Sequence, residues 1–418
     1  TRQYLRMHLA ISTIVLLVLI GGSSSYCPSE SSATGEELKK VHESAFSFTH
    51  KLFGVLYSES PEENMIASPY SVWQALSVMF YGSRGNTRRQ VKKVLKIKGN
   101  NRKEFCIQIG KMNDFWHKRA LERKDKYTFN VLNKLYFNQS EKLLPTVKKT
   151  FLTNEYKLLD FQNDVEKSQS VINEWVESNT NGKIKNLISR LDPMSRLVLV
   201  NVVYFKAKWE EVFKEPHTVP DDFHLTDGRA IQTPMMKRTG NFKMAFSQFF
   251  ESDVIELPYE GGDISMFVFL PKESTETSLE EIINKFTPPN VKKAIQSVEA
   301  KRINLCFPKF NATKTFDVTD VMKDMGLKDV FDAEKSDLTG FSKTPGMFVN
   351  TAVHKAYIQV DESGTEAAAA SAFFTSRMMS YPAEVTVEVN HPFVYIIYDK
   401  MTEVPLFVGT VVDPTLMV

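Results

Sequence analysis

The sequence predicts an α+β fold in a single domain. Three observations carry this. Helical periodicity dominates the first part of the chain, strand-like runs dominate the second, and the two do not alternate as they do in doubly wound α/β proteins. No internal repeat, low-complexity block or Pro/Gly-rich linker divides the chain after its first few dozen residues. At 42% hydrophobic and 24% charged, the 418 residues have the composition of a globular protein with a sizeable core.

In order along the chain, residues 1–25 read as a signal peptide. Arg2 and Arg6 form a basic start, residues 8–20 an apolar stretch, and residues 21–25 a small-residue cleavage region. The apolar stretch is short for a spanning helix and no stop-transfer pattern follows, so secretion to the extracellular space is expected, with no membrane association. Residues 26–35 form a tail and 36–418 the folded domain. Residues 36–57 carry Val41, Ala45, Phe48, Leu52 and Leu56 at helical spacing. Ser68 is an N-cap before Pro69, which suits the first turn of a helix through Val72, Ala75, Leu76 and Met79, with Gly82 and Gly85 ending it. Two more helices follow. Residues 102–118 place Phe105, Ile109, Met112, Phe115 and Trp116 on one side, and residues 168–180 turn Ile172, Trp175 and Val176 inward.

The strands come next. Residues 197–206 form a nearly continuous apolar run, predicting a strand buried on both faces. Asn201 inside it needs hydrogen-bond partners if it is buried. Further strands are expected at 253–257, 265–270, 302–307, 353–360, 385–389, 393–398 and 406–411. Between the 353–360 and 385–389 strands lies a long segment that opens Asp361-Glu-Ser-Gly-Thr-Glu and continues as an Ala/Ser run. Small residues of this kind can lie on the surface as a loop or enter a sheet between neighbouring strands. The segment therefore has two available states.

Charge and cysteine usage narrow the function. Removing residues 1–25 takes the formal charge from +2 to 0, which implies no nucleic-acid partner. Cys27, Cys106 and Cys306 form no disulfide framework and lack metal-ligand spacing, so no metal site is expected. Cys106 and Cys306 read as buried thiols. Asn138-Gln-Ser140 and Asn311-Ala-Thr313 are glycosylation acceptors by pattern. No G-x-S-x-G elbow, H-E-x-x-H or P-loop is present, so no catalytic residue is expected and the chain does not read as an enzyme. Residues 88–126 hold 14 Lys/Arg against 4 Asp/Glu in an otherwise near-neutral protein.

Several motifs together resemble the serpins, the serine protease inhibitor family. They are Ser68-Pro-Tyr-Ser71, Ile172-Asn-Glu-Trp-Val176, the strand from Leu199 to Trp209, Asn390-His-Pro-Phe393, and Val404-Pro-Leu-Phe-Val-Gly-Thr-Val-Val-Asp-Pro414. The order and spacing are more specific than any one motif, and the similarity runs over residues 36–415, with a looser likeness to secreted arthropod serpins. The resemblance implies N-terminal helices packed on a large mixed central β-sheet, further sheets, and an exposed reactive-centre loop at about 362–382. It makes Glu362, Gly364, Thr365, Glu366, Ala367, Ala368, Ala369 and Ala370 the loop hinge. It assigns sheet opening to Ser68, Ser71, Asn201, His354, Trp209 and Lys309, with Lys309 paired to Glu362.

The function this implies is suicide-substrate inhibition. A serine protease cleaves the loop, forms an acyl-enzyme through its own nucleophile, and is trapped when the cleaved loop inserts as an extra strand. The alternative is a non-inhibitory member acting as a carrier, storage protein or chaperone. The hinge favours inhibition, because the residues of one parity, Thr365, Ala367, Ala369, Ser371 and Phe373, include no charge and no Pro. Family spacing from Glu362 places the reactive bond between Met378 and Met379, suited to elastase-like, cathepsin-G-like or chymotrypsin-like enzymes. The competing bond, between Arg377 and Met378, suits trypsin-like ones. The resemblance requires no cofactor. It does place a heparin-like glycosaminoglycan activator on Arg102, Lys103, Lys111, Lys118 and Arg119. The chain is expected to act as a monomer.

Overall fold

The computed structural model describes residues 35–97, 102–150, 155–365 and 385–416. It opens with α1 (Gly35–Glu59), β1 (Met65–Ala67) and α2 (Pro69–Gly82). The side chain of Ser68 accepts from the Ser71 amide and caps α2, with Pro69 in its first turn. Nearly every residue of α2 is buried, because this helix runs through the core rather than over it. The helix stops at Gly82, where an added Cβ would lie 2.0 Å from the Phe341 ring.

A short helix, α3 (Gly85–Val94), follows at once, then α4 (Arg102–Glu122), β2 (Tyr127–Asn138), α5 (Pro145–Thr150), β3 (Tyr156–Leu159) and α6 (Val165–Asn179). The rest is mostly strand: β4 (Leu197–Lys208), β5 (Thr218–His224), β6 (Ala230–Ser247), β7 (Ser252–Pro258) and β8 (Ile264–Pro271). After α7 (Ser278–Asn284) and α8 (Pro288–Gln296) come β9 (Glu299–Pro308), β10 (Phe310–Asp317), α9 (Val318–Asp324), β11 (Thr351–Asp361) and β12 (Gly364–Thr365). The chain closes with β13 (Val385–Glu388), β14 (Phe393–Asp399) and β15 (Val404–Val411). The α+β expectation holds.

Two sheets organise these strands. One is six-stranded, ordered β10-β11-β12-β4-β2-β3, with β11 also paired directly to β4. The other is nine-stranded, running β1-β15-β14-β8-β7-β6-β9-β13, with β5 beside β6. The long β6 joins its parts by pairing in turn with β5, β9 and β7.

The predicted burial of β4 on both faces is observed. Alternation splits its side chains. Val198, Val200 and Val202 join Ile172 and Val176 of α6 in one cluster. Leu197, Leu199, Val203 and Phe205 join α2 and the main core on the other face. Asn201 shares that second parity and therefore points at α2.

Candidate functional site: a sheet held open at one end and latched in the middle

The latch lies on a single rung of the six-stranded sheet. Phe316 of β10 is opposite His354 of β11, His354 is opposite Asn201 of β4, and Asn201 is opposite Asn133 of β2. His354 and Asn201 are buried, so their polar atoms must be satisfied internally. His354 Nε2 accepts from the Ser68 amide at 3.0 Å. The other ring nitrogen, Nδ1, must then carry the proton, and it donates to Asn201 Oδ1 at 2.6 Å. Asn201 Nδ2 donates to Ser71 Oγ at 2.5 Å and to Asn133 Oδ1 at 2.6 Å. Ser68 Oγ donates to the Leu406 carbonyl at 2.6 Å. The Phe316 ring stacks on His354 with an 8° interplanar angle. Burial pushes the His354 pKa down to about 3, so the ring is neutral at physiological pH.

This network ties β4 and β11, which run parallel to each other, to the N-terminus of α2. Ser68, Ser71, Asn201 and His354 are thus brought together. Trp209 and Lys309, grouped with them from the sequence, are not part of this cluster. From Asn201 to Ala207 is six residues along β4, roughly 20 Å, and both outliers lie at that far end.

At that end the sheet is parted. Below it, β11 and β4 pair directly and in parallel from Thr351 with Val198 to Tyr357 with Tyr204. Above it, β12 sits between them, antiparallel to both: Thr365 is opposite Val360 and Ala207, and Gly364 opposite Asp361 and Lys208. The turn into β12 is built by Asp361, whose carboxylate accepts from the Ser363 and Gly364 amides. Trp209 stacks on Tyr259 at 4.6 Å and donates its indole N–H to the Asp361 carbonyl at 2.9 Å. Thr365 is fully buried and its hydroxyl meets that of Tyr259 at 2.7 Å.

Glu362 pairs with Lys309 at 2.8 Å and accepts from Thr218 Oγ1 at 2.7 Å. Burial alone would raise the Glu362 pKa, but the bonds from Lys309 and Thr218 outweigh it and hold it below the usual value. Asn133, Phe316, Tyr259 and Thr218 were not singled out from the sequence. None of the four carried a local signal, since the strand that holds Asn133 was not itself read from the sequence.

Gly364 is required here. Its φ is +148°, and an added Cβ would lie 2.2 Å from the Ala207 carbonyl oxygen and 2.6 Å from Lys208 Cα. Gly364→Ala is therefore expected to expel β12 and to cost about 1–3 kcal/mol in the intact protein. Trp209 fluorescence would report the loss through its contact with Asp361. An unchanged spectrum and melting temperature would show that β12 is not held in the gap.

Other sequence-derived residues fall as follows. Glu366, Ala367, Ala368, Ala369, Ala370, Arg377, Met378 and Met379 lie outside the described residues, as do residues 1–25. Among the described residues, no helix is long and apolar enough to cross a membrane. Cys306 is buried as expected. Asn138 is buried, its side chain accepting from Ser140 and donating to the Ser195 carbonyl. Asn311 is half-buried on the edge strand β10 and is not closed off in this way.

Two residues of the basic set expected on α4, Lys111 and Arg119, are corrected by their burial. Arg119 is buried, paired with Asp399 at 2.6 Å and packed over Trp116 and Tyr127. It falls three residues after Trp116 and seven after Met112, so it continues the inward stripe rather than the outer one. Lys111 is buried too. Lys118 is exposed, while the side chains of Arg102 and Lys103 lie outside the described residues.

With the sheets and this site in view, comparison with known proteins is decisive about family. The sequence model described as Serpin (serine protease inhibitor) matches residues 43–414. The chain is 37% identical over 300 residues to mouse Serpin B12, covering 70% of this chain and 71% of that protein. It is 31% identical over 380 residues to rat leukocyte elastase inhibitor A, covering 88% and 97%. It is 32% identical over 415 residues to bovine alpha-1-antiproteinase, covering 97% and 96%. Among solved structures it resembles uncleaved ovalbumin, with a TM-score of 0.79 at 25% identity, covering 90% of this chain and all of that one. It also resembles human thyroxine-binding globulin in complex with thyroxine, with a TM-score of 0.80 at 26% identity, covering 91% and 100%. The chain belongs to the serpin family, and relatives such as leukocyte elastase inhibitor A and alpha-1-antiproteinase are named for inhibition of proteases, not for an enzymatic activity.

Proposed function

We propose that this serpin is a secreted, extracellular suicide-substrate inhibitor of serine proteases. The observation that carries the reading is the register of the parted sheet. Thr365 sits between Val360 and Ala207. Below, Ala356 already faces Val203, and His354 faces Asn201. Every one of these pairs has the same offset, so a strand continuing from Thr365 slots between β11 and β4 without either strand slipping. Counting down, Ala367, Ala369 and Ser371 fall on the core side. Ser371 arrives between His354 and Asn201, whose mutual bond must break to admit it.

Insertion replaces seven directly facing parallel pairs by antiparallel pairing on both sides of a new strand. Antiparallel ladders are somewhat more stable per residue, and the added strand brings its own ladder and buried side chains. The driving force for trapping is stored in this way. The protease Ser hydroxyl attacks the Met378 carbonyl, the C–N bond to Met379 breaks, the Met379 amine takes a proton and leaves, and Met378 remains esterified to the protease. Insertion then pulls the ester away from the protease's oxyanion hole before water can attack it.

The inhibitors among its relatives support this class of target. Met378 would enter the apolar pocket of an elastase-like, cathepsin-G-like or chymotrypsin-like enzyme. Incubation with such proteases is expected to give a complex that survives boiling in detergent and to release a peptide beginning at Met379. A peptide beginning at Met378, with trypsin-like enzymes trapped, would make Arg377 the specificity residue. Complete cleavage with no trapped species in every protease class would replace the inhibitory reading with a carrier or storage role.

A further inference from the structure

The α6 helix runs into the only Asn-Gly dipeptide of the chain, Asn181-Gly182. Thr180 caps the helix, Asn181 takes a left-handed φ of +51°, and Gly182 follows at +75°. The Gly182 amide donates back to the Glu177 carbonyl at 2.9 Å, the long-range bond of a Schellman ending. Such an ending needs one residue at the left-handed position, ordinarily glycine. Here asparagine fills it, and the glycine comes one residue later, on the nitrogen that borders the asparagine side chain.

This order has a chemical consequence. The Gly182 nitrogen is the atom placed to close a ring on Asn181 Cγ, and glycine has no Cβ to obstruct it. Asn181 is exposed, and a Cβ built on Gly182 would have nothing within 4 Å. Hydrogen bonds hold the reaction back while the turn is closed. The Gly182 N–H is engaged by Glu177, and Asn181 Nδ2 donates to the Tyr204 hydroxyl at 3.3 Å. The buried Thr180 hydroxyl fixes the turn from inside, donating to the Val176 carbonyl at 2.9 Å and accepting from the Ile184 amide at 3.1 Å. Ring closure therefore proceeds from states in which the end of α6 has opened locally.

We propose that Asn181 is a self-modification site, converting to aspartate and isoaspartate at a rate set by opening of the end of α6. The Gly182 nitrogen gives up its proton and bonds to Asn181 Cγ, the Cγ–Nδ2 bond breaks, and Nδ2 leaves as ammonia. The product is a cyclic imide, which water opens at either carbonyl. Opening at Cγ restores the main chain and leaves aspartate. Opening at the main-chain carbonyl leaves isoaspartate, whose backbone runs through Cβ and Cγ. Neither product suits the turn. Aspartate puts an anion at the negative end of α6, and isoaspartate lengthens the backbone where Gly182 must meet Glu177. The position extends the effect to the sheet. Ile172 and Val176 of α6 share a buried cluster with Val198, Val200 and Val202 of β4. Tyr204, which Asn181 contacts, is opposite Tyr357 in the last direct pair of β4 with β11 before β12 intervenes. Conversion thus loosens the helical cover where the sheet parts. The proposal does not depend on the inhibitory reading.

The test is prolonged incubation of the full chain at physiological temperature and pH, followed by digestion and tandem mass spectrometry of the peptides that hold Asn181 and Asn186. Asn186 is the internal control: it is also exposed and left-handed, at φ +49°, but Leu187 follows it. Conversion, read as a gain of about 1 Da, is expected at Asn181 and not at Asn186. Thr180→Val removes the hydroxyl's hydrogen bonds and is expected to speed conversion about 5- to 10-fold. Asn181→Gly is expected to fold, since glycine suits the left-handed position, and to stay unmodified. Amide exchange over residues 180–184 is expected to quicken in the incubated natural chain and to stay constant in incubated Asn181→Gly. Conversion of Asn181 no faster than that of Asn186, or at the same rate in Thr180→Val, would overturn the proposal. So would equal amide exchange before and after conversion.

Discussion

Ala369→Arg is expected to turn the protein from a trap into a substrate: a target protease cleaves the loop and departs. The register of the parted sheet gives the reason. Four residues beyond Thr365, position 369 falls between Ala356 and Val203, both fully buried. An arginine there enters the core without a counter-charge. Burying an unpaired charge costs several kcal/mol, and about 3 kcal/mol in the insertion barrier slows insertion roughly 100-fold. Deacylation then wins the competition. The measurement is the number of inhibitor molecules consumed per protease inactivated, together with the yield of detergent-stable complex. Ala368→Arg is the internal control. Its parity turns it to the opposite face of the sheet, between Tyr204, which is buried, and Tyr357, which is partly exposed, so a long cation there has a route to solvent past Tyr357 and inhibition should be lost less than in Ala369→Arg. Equal loss in both variants would defeat the register argument.

Acidification is expected to loosen the closed sheet through His354. Its pKa is about 3 in the fold against 6.5 unperturbed, because it is fully buried. With the native value below the unfolded one, the stabilisation is complete above about pH 6.5 and is lost progressively as pH falls toward 3. Between pH 7.5 and pH 5 the loss amounts to about 2 kcal/mol. The structural consequence is specific. The ring stays neutral in the closed sheet until the pH nears 3, so acid acts by favouring opened states, in which His354 can take up a proton and its bond from the Ser68 amide is already lost, at the rung where the sheet must part. His42, pushed down to about 4 chiefly by burial, adds in the same direction. The His354 share is isolated by following melting temperature against pH in the natural chain and in His354→Gln. The variant should start less stable at pH 7.5 and lose less on acidification. Parallel pH curves would show that His354 does not titrate in this window.

Some of this molecule was legible before any fold was known, and particular residues show why. The α2 helix was readable because Ser68 and Pro69 mark its start and apolar side chains fill its length. β4 was readable because an unbroken apolar run has few other uses. By contrast, α3 was not picked out: its ten residues GNTRRQVKKV bury Thr87, Val91 and Val94 at helical spacing, but only two of these are apolar, too few to mark a helix. β2 was missed because Asn130, Asn133 and Lys134 interrupt it, and its first half is only partly buried. β6 was missed because it serves three partners in turn, so its burial pattern follows no single alternation. Arg119 was misplaced on an outer face of α4 because a helical stripe does not say which polar residue on its border will find a buried partner. Arg119 finds Asp399 from a strand far along the chain.

The same division holds for the site. By itself the sequence determined the class of fold, the apolar strand with its single Asn201, and a hinge whose alternate residues are small and uncharged, because these depend on local periodicity and side-chain chemistry. Only the tertiary structure decided that Asn201 meets His354, Ser71 and Asn133 on one rung, and that Trp209 and Lys309 belong to a different cluster. It alone decided that Gly364 and Thr365 occupy the gap between β11 and β4, and that Lys111 and Arg119 of α4 are buried. Each of these depends on sheet register and on which buried partner a polar group reaches, and both are set by contacts between residues far apart in sequence, from 53 positions for Lys309 and Glu362 to 153 for His354 and Asn201.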